Sequence, residues 1–123
     1  MKRQNGVVLS GLLADVQAEK LQAGAIESEF VRATLITDDK AYGGYHPVIF
    51  PAEFALDVQA YWALTAGRLE ATVEGWLRSS PGQAGSPPVS AVIVDRVIFL
   101  NITEAQRAQV ARHKATLRSK GKR

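Results

Sequence analysis

Bond-making chemistry has few candidates in this chain of 123 residues. There is no cysteine and there are only two histidines, His46 and His113, so disulfides, thiolate metal sites and cysteine nucleophiles drop out and a zinc site lacks ligands. The neighbouring acids Asp38 and Asp39 would point to opposite faces of an extended segment, and Glu27 and Glu29 sit at a loop margin, so neither pair forms an acid–base dyad. No Ser/His/Asp ordering, glycine-rich phosphate loop or metal-ligand cluster stands out. The chain reads as non-catalytic and cofactor-free. What remains is the chemistry of cations and aromatic rings, which neutralise phosphates and stack on flat partners.

The cations are unevenly placed. Residues 1–100 carry eight Lys and Arg against eleven Asp and Glu, whereas residues 101–123 carry seven against Glu104 alone. Arg107, Arg112, Lys114 and Arg118 thereby make the C-terminal segment a candidate phosphate-binding tail, because each phosphate neutralised releases counterions. No apolar run approaches the roughly 20 residues of a membrane span, and Met1-Lys-Arg-Gln has no apolar stretch like that of a signal peptide. A cytoplasmic protein without membrane contact is expected.

These side chains need a scaffold, and alternation supplies most of it. In Asn5-Gly-Val-Val-Leu-Ser-Gly-Leu-Leu-Ala-Asp15, Val7, Leu9 and Leu13 share one face and Val8, Ser10 and Leu12 the other, with Gly11 available for a bend. Val16–Gly24 is polar and helix-tolerant. Alternation resumes over Ile26–Thr37, and the pair Gly43-Gly44 suits a hairpin into Val48–Phe50, after which Pro51 breaks the ladder. Between Ala52 and Ala66 the period lengthens to that of a helix, with Phe54, Val58, Tyr61 and Trp62 on its stripe and Gly67 at its end. Strands return at Arg68–Ser79 and Val89–Leu100, separated by a Ser/Gly/Pro-rich stretch that cannot hold regular structure. Three strands, one helix and two strands are the order of an all-β OB-fold, a five-stranded Greek-key barrel, here over residues 1–101. Beyond it, Thr103 and Gln106 form a capping box, so residues 102–123 are expected to be partly helical, with Ser119–Arg123 disordered. The alanines of this segment offer little apolar area for docking.

Five segments in this order also carry a family likeness: Asn5–Asp15; Phe30-Val-Arg-Ala-Thr-Leu-Ile-Thr37; Tyr45-His-Pro-Val-Ile-Phe50; Leu64–Gly67 leading to Val73-Glu-Gly-Trp-Leu-Arg78; and Val92-Ile-Val-Asp-Arg-Val97. Across residues 5–101 the chain resembles bacterial single-stranded DNA-binding proteins, with primosomal replication protein N a near relative. The resemblance implies bases laid on aromatic side chains of the outer barrel face and basic residues tracking the backbone. Carried over by position, Tyr45 stands where the family places a stacking aromatic, and Arg32 and Thr34 project from the outward side of the second strand. By parity Trp76 and Arg78 face outward on the fourth strand. Tyr42, in the same hairpin as Tyr45, is a further candidate platform. His46 matches a family histidine near subunit contacts, so a homo-oligomer, dimer or tetramer, is implied, formed around His46 and the edge of the first strand at Val8 and Ser10.

The departures are informative too. Thr37-Asp-Asp-Lys, Pro51 and Pro81-Gly stand where the family carries further aromatics, and the chain ends in Lys114, Arg118, Lys120, Lys122 and Arg123 instead of an acidic tip that recruits repair proteins. Single-stranded DNA is therefore the expected partner, with RNA subject to the same physics. The competing reading is a primosome-type interaction module of the same fold, gripping a helicase, primase or other replication protein.

Overall fold

A computed structural model describes residues 6–37, 44–80 and 89–121 of the chain. Its elements are β1 (Gly6–Ala23), β2 (Ile26–Ile36), β3 (Tyr45–Phe50), α1 (Ala52–Leu64), β4 (Glu70–Ser80), β5 (Val89–Phe99) and α2 (Glu104–Gly121). The strands close in the order β1-β2-β3-β5-β4, with β3 and β5 parallel and every other neighbouring pair antiparallel. With α1 inserted between β3 and β4, this is the expected OB-fold barrel.

The alternation of β1 translates directly into burial: Leu13 is fully buried, Val7 and Leu9 pack against the core, and Val8 and Leu12 are exposed. Its length does not follow the expectation. The strand continues through Val16–Ala23, a segment that reads as helix-tolerant, and pairs with β2 as far as Ala23↔Ile26. Gly24, at φ 64, opens the two-residue turn between them, the position where a tight hairpin needs a positive φ. The β1–β2 register shifts between Ala14 and Gln17, with Asp15 at φ 52. At Gly11 the neighbouring strand leaves no room for a side chain, since a Cβ there would be driven into the Ile36 carbonyl.

Asp95, an interruption in an otherwise apolar strand, is the extra residue of a bulge: Glu74 pairs with Arg96 and Gly75 with Val94. The barrel interior is filled by Leu13, Val31, Leu35, Val48, Phe50 and Val73 among others, all fully buried. One end is closed by α1, which buries Ala55, Val58 and Tyr61 and leaves Phe54 and Trp62 at the margin. The Tyr61 ring lies 4.8 Å from that of Phe99 between centroids, close enough for a favourable tilted aromatic contact. The helix ends at Leu64 with Thr65 as its C-cap, and Gly67, at φ 80, lies in the turn that follows, its N–H donating to the Trp62 carbonyl at 2.9 Å.

The C-terminal segment is more ordered than its alanines suggest. The capping box forms as read, with the Gln106 N–H donating to Thr103 Oγ1 at 3.1 Å and the Thr103 N–H to Gln106 Oε1 at 2.9 Å. The helix then extends to Gly121, so the disorder expected from Ser119 is corrected as far as residue 121, and residues 122–123 lie outside the described ones. Its anchor is Val110, 2% exposed in the shared core, aided by Ile102 and by a Lys114–Asp57 ion pair of 3.0 Å to α1. One well-placed branched residue supplies the apolar area that the alanines lack.

Candidate nucleic-acid interface

The closed barrel turns alternate residues of β2, β3, β4 and β5 outward. Cross-strand pairing then fixes which of them meet. Arg32 lies opposite Ile49, Ile49 beside Ile93, and Ile93 opposite Trp76, so one row crosses four strands over about 14 Å at the usual interstrand spacing. Thr34 lies opposite Pro47, and Arg78 opposite Ala91. Between the rows runs a groove of about 470 Å³, lined by Arg32, Pro47, Val48, Ile49, Arg78, Ala91 and Ile93.

Its physical character is simple: an apolar floor of Pro47, Ile49, Ala91 and Ile93 with a guanidinium at either side. Tyr45 continues the outward series of Pro47 and Ile49 along β3 and is 71% exposed. A flat apolar group fits the floor and a pair of anions fits the guanidiniums. The ring of Tyr45 offers a stacking surface in line with both. Arg32 also pairs with Glu19 on β1 at 3.1 Å, whereas Arg78 pairs with no carboxylate among the described residues.

Five sequence-derived candidates, Arg32, Thr34, Tyr45, Trp76 and Arg78, therefore share one outer face. Trp76 is half-buried, beside the groove and outside its lining. Tyr42 lies outside the described residues. The tail candidates divide. Arg107 donates to the Phe99 carbonyl at 3.1 Å and Lys114 holds Asp57, so both serve the docking of α2, while Arg112 is exposed and Arg118 lies in the last turns of the helix. Of the interface candidates, Val8 is 64% exposed, Ser10 is exposed with its hydroxyl 2.7 Å from that of Thr72, and His46 is half-buried with Nε2 3.4 Å from Thr37 Oγ1.

Sequence reasoning missed the floor. Ile49 and Ile93 look like two more core residues in apolar runs, and only their parity between buried neighbours, Val48 with Phe50 and Val92 with Val94, marks them as outward. Their adjacency depends on the parallel β3–β5 pairing, which joins segments more than forty positions apart and leaves no local signal. Among the described residues no group of three or more His, Asp and Glu could hold a metal, and no helix is long and apolar enough to cross a membrane.

No protein-family model and no curated protein matches the chain in sequence. Solved structures match it in fold. The dimeric N-terminal domain of PriB from Thermoanaerobacter tencongensis superposes with a TM-score of 0.55 at 14% identity, over 81% of this chain and 100% of that one. An SSB from Plasmodium falciparum, solved in complex with single-stranded DNA, gives 0.60 at 16%, over 82% and 98%. The mitochondrial single-stranded DNA-binding protein Rim1 of S. cerevisiae gives 0.51 at 7%, over 77% and 94%. The chain thus shares the five-stranded barrel fold of these PriB and SSB structures.

Proposed function

We propose that this chain is a non-catalytic single-stranded DNA-binding protein of the SSB and PriB kind, acting in DNA replication, recombination or repair. The observation that carries the reading is the groove itself: an apolar floor between Arg32 and Arg78, aligned with an exposed Tyr45, on a barrel shared with proteins that bind single strands. Bases lie against the floor and the tyrosine, and the guanidiniums take the phosphates on either side. A single strand exposes the ring faces this requires. A duplex hides them in its own stack. Arg112 and Arg118 on α2 add phosphate contacts that are indifferent to sequence. RNA satisfies the same contacts, so preference between the two polymers is a matter for measurement.

Stacking on Tyr45 and Trp76 has a direct test. Base–aromatic stacking is worth about 1–3 kcal/mol per base, so Tyr45→Ala should weaken oligo-dT binding by roughly five- to a hundredfold, with little change in its salt dependence. Tyr45→Phe should keep most of the affinity. A Tyr45→Ala/Trp76→Ala double variant that binds like wild type would remove the stacking part of the proposal.

Assembly is part of the same reading. Residues 6–11 of β1 pair with β4 along one edge, and among the described residues their pairing with β2 begins at Leu12, so the contact with a second copy is placed along this half-strand. Val8 and Ser10 lie there, in keeping with a dimer or tetramer. The second reading, an interaction module for a helicase, primase or other replication protein, draws on the exposed apolar side chains Val8 and Leu12 on β1 and Ile98 and Leu100 at the end of β5, each at least about a third exposed. A pull-down from nuclease-treated lysate separates the two, because an interaction module keeps its partners and a DNA-coating protein loses them.

A further inference from the structure

The two guanidiniums of the groove are not equivalent. Arg32 is engaged by the Glu19 carboxylate at 3.1 Å, from the neighbouring strand, whereas Arg78 has no carboxylate partner among the described residues. In the β1–β2 ladder Gln17 is opposite Arg32 and Glu19 opposite Phe30, so Glu19 reaches Arg32 along the diagonal, within range of long side chains. The pair is set at the surface, with the Arg32 side chain 59% exposed and that of Glu19 32% exposed. A contact this open is weak and readily exchanged for another anion. An acid placed on the binding guanidinium contributes little to the fold. Its effect is on the ligand.

We propose that Glu19 is a built-in competitor for Arg32, an affinity-setting residue that occupies the guanidinium in the free protein and is displaced by a phosphate of the bound strand. The inference rests on the groove reading above. It deepens that reading by dividing the phosphate contacts into one that is always ready, at Arg78, and one that must be won, at Arg32. An isolated anion gains little by displacing Glu19, since one contact is exchanged for another. A strand already anchored on the floor and at Arg78 makes the exchange within a single molecule, where the effective concentration of its next phosphate is high. Glu19 thus favours polymers over single anions.

Glu19→Gln removes the competing charge and keeps the side-chain shape. Full-length wild type, Glu19→Gln, Arg32→Ala and the double variant are titrated with fluorescent oligo-dT by anisotropy at low salt, with Glu74→Gln as a control of equal charge change at a cross-strand pair with Arg96, outside the groove lining. Glu19→Gln is expected to tighten binding by about two- to fivefold, the range of an exposed ion pair, and to have no effect once Arg32 is Ala. Glu74→Gln should change affinity by less than Glu19→Gln. Equal tightening in the Arg32→Ala background, or in Glu74→Gln, would reduce the effect to net charge and overturn the proposal, as would a Glu19→Gln variant that binds like wild type. Wild type that fails to bind at all would overturn the groove reading together with it, a result distinct from the others.

Discussion

Replacing both groove arginines, Arg32→Ala with Arg78→Ala, is expected to weaken oligo-dT binding by about a hundredfold to ten-thousandfold at low salt while leaving the fold intact. Each guanidinium–phosphate contact is charge-assisted and worth about 1.5–3 kcal/mol, and the two flank one floor, so a strand loses both ends of its electrostatic grip. Neither side chain supports the core: both lie on the outer face, and among the described residues the one ion pair either makes is that of Arg32 with the half-buried Glu19. The salt dependence carries a second signature. Two lost phosphate contacts on a single strand should flatten the plot of log affinity against log salt by about 1.4. Tyr45→Ala should shift that line without changing its slope, which separates the stacking contribution from the ionic one. An unchanged slope in the double arginine variant would mean that the phosphates are held elsewhere, with α2 the first place to look.

The second large effect falls on the barrel. Phe50 ends β3 opposite Val31, and both side chains are fully buried. Truncating such a phenylalanine loses its transfer free energy and leaves a cavity, so Phe50→Ala should cost about 3–5 kcal/mol, a large share of the roughly 5–15 kcal/mol that holds a domain together. Urea denaturation should show a much lower midpoint with a similar slope. DNA affinity of the remaining folded fraction should hardly move, because Phe50 faces inward while its neighbour Ile49 faces the groove. A loss below about 1 kcal/mol would mean that the site collapses around the gap and that β3 is less tightly packed than its burial implies.

Much of this architecture is legible along the chain because alternation in β1, β2, β4 and β5 reports burial directly, and the period change at Ala52 marks α1. The second half of β1 is not legible. Gln17, Ala18 and Lys20 are exposed on a hairpin that runs past the barrel, so neither face needs an apolar series and the strand loses its signature. Only Gly24 marks the turn. The candidate site divides along the same line. Arg32, Thr34, Tyr45, Trp76 and Arg78 follow from parity and family position, since those belong to one strand at a time. The floor does not, because Ile49 and Ile93 meet through a parallel pairing that only the closed barrel creates. The tail shows the reverse error of reading: a run of cations looks uniformly available, yet Val110 docks the helix and thereby commits Arg107 and Lys114 to contacts within the molecule.

Whether the outer face holds single strands by their exposed bases is decided by titrating the full chain with oligo-dT of increasing length and with duplex of equal length, at low and moderate salt, following tryptophan fluorescence and anisotropy. Tight, length-dependent binding to the single strand is expected, persisting at moderate salt and quenching Trp76 beside the groove. Binding that salt abolishes and that treats duplex and single strand alike would contradict it, leaving only phosphate attraction to the basic helix and turning the barrel face over to a protein partner.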